Sequence, residues 1–145
     1  MVKRYFEFIK ESTDYKGGIV QGELPTDEWL NILCESLNNE LHVTILDNRL
    51  NDIGGRLVHE TDANYILNNK VYLCKEISIS FNEAYSRESN KIKPLLELDK
   101  IDIYKLEKKI QAEEYKTRLV FSFGGARLVI YPKLQKPAGF TVISK

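Results

Sequence analysis

Residues 70–81 read Lys-Val-Tyr-Leu-Cys-Lys-Glu-Ile-Ser-Ile-Ser-Phe, and their alternation decides the fold class. Val71, Leu73, Ile77, Ile79 and Phe81 fall on one side, and Tyr72, Cys74, Glu76, Ser78 and Ser80 on the other. A period of two with a single apolar row marks a strand that buries one face. Lys75 interrupts that row, which points to a bulge or an edge.

The neighbouring segments extend this reading. Residues 64–67 and 70–73 flank Asn68-Asn69, a hairpin pattern. Leu41, Val43 and Ile45 alternate with His42, Thr44 and Leu46, giving a second strand. Residues 47–55 hold Asn48, Asn51, Asp52 and Gly54-Gly55 and read as a loop, with a short strand at 56–60. Downstream, residues 119–123 and 126–131 flank Gly124-Gly125. A Gly-Gly pair suits a two-residue hairpin turn with positive φ at both positions. That turn pairs Leu119 with Ile130 and Phe121 with Leu128. Further strands are expected at 2–9, 19–23 and 140–143.

Two stretches have helical spacing instead. Thr26 is placed to cap a helix with Asp27 and Glu28 in its first turn, where the helix dipole favours acids. Trp29, Leu30, Ile32, Leu33 and Leu37 form its broad apolar face, and Asn38-Asn39 ends it. A second helix begins at a cap of Asp99 or Asp102, runs to about residue 116, and carries the narrow stripe Ile103, Leu106, Ile110. Polar residues 84–94 form a loop. The expected architecture is α+β: one domain over residues 1–145, built as an antiparallel β-sheet of five to seven strands with two α-helices packed on one face.

Composition bounds the function. The 145 residues include 43% hydrophobic and 29% charged side chains, ordinary values for a chain with its own core. Lys plus Arg equals Asp plus Glu at 21, so the chain lacks the basic excess of a nucleic-acid binder and the acidic excess of a DNA mimic. Lys outnumbers Arg 15 to 6, the mark of an AT-rich genome. The first ten residues hold no apolar run of signal-peptide length, and no stretch reaches membrane-span length. The expected location is cytoplasmic, with Cys34 and Cys74 reduced and packed rather than reactive.

Several constellations could carry chemistry. Six of the eight glycines fall in pairs, and Gly54-Gly55 and Gly124-Gly125 are closely followed by Arg56 and Arg127. Such turns can offer amide N–H groups and a guanidinium to a phosphate, although none matches a dinucleotide or Walker fingerprint. His59 stands near Glu60 and Asp62, and Asp47 and Asp52 lie close in sequence, but no metal-ligand spacing is present. No metal and no cofactor is expected. Tyr15, Tyr72 and Tyr85 fall on polar faces or loops, and with Arg87 they suit a protein interface.

The sequence thus points to a non-enzymatic interaction protein that binds another protein and inhibits or neutralises it, as toxin-immunity proteins and phage anti-defence proteins do. The contact candidates are Tyr15, Tyr72, Tyr85 and Arg87. The alternative is a small-ligand-binding or sequestering protein for a nucleotide-like or phosphorylated molecule, using Gly54, Gly55, Arg56, Gly124, Gly125 and Arg127. A hydrolase built on His59 and Asp62 ranks behind both. A homodimer through exposed strand edges is compatible with either main reading.

Overall fold

A computed structural model describes residues 18–81, 94–122 and 124–134. These form an α+β fold with a five-stranded, mostly antiparallel sheet and three helices. The chain order is β1 (Gly18–Val20), α1 (Asp27–Cys34), β2 (Leu41–Asn51), α2 (Ala63–Asn68), β3 (Lys70–Phe81), α3 (Glu97–Ala112), β4 (Thr117–Ser122) and β5 (Gly125–Ile130). The strands expected at 2–9 and 140–143 and the loop at 84–93 lie outside the described residues.

The alternating segment is the centre of the sheet. On one edge β3 pairs with β2 from Leu41↔Phe81 to Asn51↔Tyr72. Its other edge is shared, with β1 at residues 70–72 and β5 at residues 75–80. The β1–β3 pairing is parallel, which corrects the wholly antiparallel expectation. Strand β4 completes the order β1-β3-β5-β4.

The core forms where the apolar rows of these strands meet the helices. Ile77, Ile79 and Phe81 of β3, Leu41 of β2 and Ala126, Leu128 and Ile130 of β5 are buried in one cluster. Leu30 and Cys34 of α1 and Ile103, Leu106 and Ile110 of α3 belong to the same cluster. Burying a side chain such as Leu128 or Ile103 contributes roughly 1.5–3 kcal/mol, so this cluster is the main source of stability.

Several local expectations are corrected. Residues 63–68 form helix α2 instead of a hairpin arm. The asparagines explain why: Asn68 donates its amide to the Asn64 carbonyl at 2.8 Å, and Asn69 donates to the Tyr65 carbonyl at 3.0 Å, so both serve a helix end. Residues 47–51, expected in a loop, continue β2 through a bulge. The strand expected at 56–60 reduces to one bridge, Asn51↔Leu57. Thr26 does cap α1, accepting from the Trp29 amide at 3.2 Å, but the helix stops at Cys34. Helix α3 begins at Glu97 with Leu96 at its cap, and Asp99 lies buried in the first turn. The β4–β5 hairpin pairs Leu119 with Leu128 and Phe121 with Ala126, two residues away from the expected register.

Candidate functional site

The bulge in β2 builds the most polar region of the fold. Leu46 pairs with Glu76 and Arg49 with Cys74, so residues 47 and 48 together oppose Lys75. Asn48 takes a φ of 57° there, a left-handed conformation that asparagine tolerates. An unbroken strand would keep Arg49 and Asn51 on the face of Leu41, Val43 and Ile45. One extra residue moves them to the opposite face, beside Glu76 and Cys74. The bulge also brings Asp47 to 3.4 Å from the Lys75 ammonium. Asp27 of α1 and the Pro25 carbonyl each approach that ammonium at 2.7 Å, so the interrupting lysine is fully partnered.

Glu76 is 2% exposed. Its Oε1 lies 3.4 Å from Arg127 Nε and 3.5 Å from Arg49 Nε. These are charge contacts without hydrogen-bond geometry: among the described residues all three atoms lack a hydrogen-bond partner. Arg127 is otherwise used within the fold, donating to the Gly55 carbonyl at 3.2 Å and to Asn51 Oδ1 at 2.8 Å.

Residues 52–56 are clamped over this face. Arg118 donates to the Ile53 carbonyl at 3.0 Å, and the Tyr131 hydroxyl donates to the Asp52 carbonyl. The Asp52 carboxylate accepts from the amides of Gly54 at 2.9 Å and Arg56 at 3.0 Å, and from the Tyr65 hydroxyl at 3.1 Å. Gly55 is buried with φ +88°, and a Cβ there would stand 3.2 Å from Arg118 Cβ. Beneath the loop, Cys74, Val129 and Tyr131 form a small buried cluster.

The glycine–arginine candidates are therefore partly gathered. Gly54, Gly55, Arg56 and Arg127 meet around the loop, with the Arg56 guanidinium 5.9 Å from the Tyr65 ring centroid. The amides that a phosphate would need already bind the Asp52 carboxylate. Gly124 and Gly125 are taken up by the β4–β5 turn and the start of β5, where Gly125 pairs with Ser80 and Ser122. Tyr72 is half-buried, its ring edge-on to Tyr131 with centroids 5.3 Å apart. Tyr15, Tyr85 and Arg87 lie outside the described residues.

The remaining carboxylates are dispersed. Asp62 caps α2 through the Tyr65 amide at 3.3 Å. His59 lines a cleft of about 400 Å³ with Arg49, Glu60 and Thr61. Among the described residues no three His, Cys, Asp or Glu side chains group as metal ligands. No described helix is long and apolar enough to cross a membrane. Sequence reasoning missed Glu76, Arg49 and Asn51; the one available signal was a glutamate in a row otherwise holding Tyr, Cys and Ser.

Neither cysteine is set up as a nucleophile. Burial pushes the Cys34 thiol up to about 11 and the Cys74 thiol up to about 12. Burial likewise lifts the Tyr131 hydroxyl to about 12. At pH 7 and below these groups are protonated in both the folded and unfolded chain, so they leave stability unchanged. Above pH 9 the unfolded chain ionises first, and folding loses roughly 1 kcal/mol per thiol by pH 10. Denaturant midpoints should fall steadily from pH 9 to 12, and Ellman's reagent at pH 8 should label neither thiol until denaturant is added. Rapid labelling of the native chain would contradict the burial of both.

No family model matches the chain, and no curated protein or solved structure is significantly similar to it.

Proposed function

We propose that the protein acts without catalysis, binding another protein and thereby inhibiting or neutralising it. The observation that carries this reading is the outer surface of α3. That helix already buries Ile103, Leu106 and Ile110 in the core. It nevertheless leaves Leu98 73%, Ile101 46% and Tyr104 50% exposed, with Leu96 at 57% just before it. Leu98, Ile101 and Tyr104 follow at intervals of three, which groups them on one flank. A surface helix ordinarily keeps that flank polar, and grouped exposed apolar side chains are a feature of protein-binding surfaces.

The surroundings suit such an interface. Tyr104 sets its ring against Phe121 of β4 with centroids 5.5 Å apart, and Lys100 stands 5.8 Å from the Phe121 centroid. This gives an aromatic anchor with a cationic rim, a frequent composition of interface centres. In this reading α1 and α3 cover one sheet face, and α3 is both core element and contact element. A pocket for a phosphorylated or nucleotide-like molecule has less support, because Asp52 and Asn51 already take the donors of the glycine–arginine loop.

The test is in-cell crosslinking of the tagged full chain, followed by purification, for wild type and for the double variant Leu98→Glu/Ile101→Glu. Both positions are exposed, so the variant should keep its circular dichroism and melting temperature within experimental error. Recovery of a specific partner should fall about 30-fold, the loss of one interface hot spot of roughly 2 kcal/mol. Equal recovery with both proteins would remove α3 from the interface. A retained small molecule in native mass spectra, with no protein partner, would favour the pocket reading instead.

A further inference from the structure

A second surface, sharing no residue with the glycine–arginine loop, has the chemistry of a cation receptor. A cleft of about 360 Å³ is bounded by Glu23, Trp29, Glu113, Tyr115 and Lys133. The Trp29 and Tyr115 rings pack against each other with centroids 6.5 Å apart and a tilt of 40°, so both line the cleft as one aromatic wall. Glu23 and Glu113 are exposed at its rim, and neither has an ion-pair partner within 4 Å among the described residues. Burial, then the charges of Glu23 and Glu113, raise the Tyr115 hydroxyl pKa, which agrees with a negative potential in the cleft.

The chain already places a cation there. Lys133 Nζ lies 4.2 Å from the Tyr115 ring centroid. Its backbone is fixed by a two-bond bridge: the Glu23 amide donates to the Lys133 carbonyl at 2.9 Å, and the Lys133 amide donates to the Glu23 carbonyl at 2.8 Å. Gly22 permits this approach, since a Cβ there would come within 2.0 Å of the Lys133 carbonyl oxygen. The lysine side chain, unlike its backbone, has no hydrogen bond or ion pair among the described residues. Among the described residues its ammonium meets the Tyr115 ring, a contact that a better-seated cation can replace.

We propose that this cleft binds an organic ammonium ion over the Tyr115 ring, at the edge it shares with Trp29, and that Lys133 is an internal occupant which the ligand displaces. Aromatic faces attract cations through the ring quadrupole and need no hydrogen-bond donor from the guest, so alkylated ammonium groups are accepted. The two carboxylates favour positive charge and disfavour anions. The ammonium group could belong to a small molecule or to a lysine side chain of another protein; the recognition chemistry is shared.

Trp29 is the single tryptophan of the chain and lines this cleft, so fluorescence excited selectively at tryptophan, beyond the absorption of the eight tyrosines, reports on it. The full-length protein would be titrated with choline, with the capped peptide acetyl-Gly-Gly-Lys-Gly-Gly-amide, whose one cation is the lysine, and with 3,3-dimethylbutanol, the uncharged isostere of choline. Wild type should respond saturably to a cation with a Kd on the order of millimolar, and Lys133→Ala should bind about tenfold tighter. Lys133→Met, which keeps most of the stem, should behave likewise and serves if the alanine variant folds poorly. Glu113→Gln should weaken binding in either background. Preference for the peptide assigns the site to protein-borne lysine, and preference for choline to a small molecule. The proposal is overturned if the Lys133 variants give no saturable response to either cation, or if dimethylbutanol titrates as choline does.

Discussion

Glu76→Ala should destabilise the protein by about 3 kcal/mol, more than the ordinary surface charge removal, even though no apolar core atom is lost. The carboxylate is 2% exposed and faces two guanidinium groups, Arg127 at 3.4 Å and Arg49 at 3.5 Å. Removing it leaves both Nε atoms buried without a counter-charge. The arginine side chains are 25% and 36% exposed, which holds the cost toward the lower end of the range for broken buried pairs. Arg127 cannot simply swing outward, because it also binds Gly55 and Asn51. Glu76→Gln keeps the shape and loses only the charge, so it should cost roughly half as much. Because the pair is buried, the loss should persist in 1 M salt, where exposed pairs are screened. Urea denaturation at low and high salt measures both. A loss below about 1 kcal/mol for the alanine variant would mean that the loop over this face does not depend on the carboxylate. Amide exchange at Gly54 and Arg56 gives an independent reading, since weakened clamping should expose their bonds to Asp52.

How far the sequence disclosed this arrangement depends on how local each cause is. The alternation of residues 70–81 and the Thr26 cap are set by neighbours a few positions away, and both are legible. The continuation of β2 is not, because its bulge breaks the period of two where Asp47, Asn48, Arg49, Asn51 and Asp52 suggest a loop. Helix α2 has only six residues, too few for periodicity to show, and its terminal asparagines imitate a turn. The parallel partner of β3, residues 18–20, is chosen by tertiary packing across some fifty positions. The sites follow the same division. The glycine–arginine pairing around Gly55 was visible as a motif. That its amides are occupied by Asp52 depends on a local side-chain geometry that composition does not encode. Glu76 gained its importance only when the bulge turned Arg49 onto its face. The cation cleft joins residues 23, 29, 113, 115 and 133, and no linear signal connects them.

The glycine pair of the β4–β5 hairpin gives the second large effect, and it separates two roles that look alike in the sequence. If both glycines were turn residues, both would need positive φ, and asparagine would be tolerated at either. The chain instead reverses between Ser122 and Gly125, which pair across the turn. Gly124 has a φ of 82°, whereas Gly125 begins β5 and is also paired with Ser80 of the central strand. A Cβ at Gly125 would stand 2.7 Å from the Ile79 carbonyl oxygen, a backbone atom that cannot rotate away. Gly125→Ala must therefore push β5 from β3, weakening the Ser80 and Ile79 pairings above a core cluster that includes Ala126 and Leu128. The expected cost is about 3 kcal/mol, combining overpacking with weakened strand hydrogen bonds. Gly124→Asn should cost less than about 1 kcal/mol, since asparagine enters the left-handed region readily. Urea midpoints of the two single variants decide the matter. Equal, small losses would place both residues in the turn and restore the register that pairs Leu119 with Ile130. A large loss at Gly125 alone fixes the observed register, in which Leu119 faces Leu128 and the apolar row of β4 meets the core.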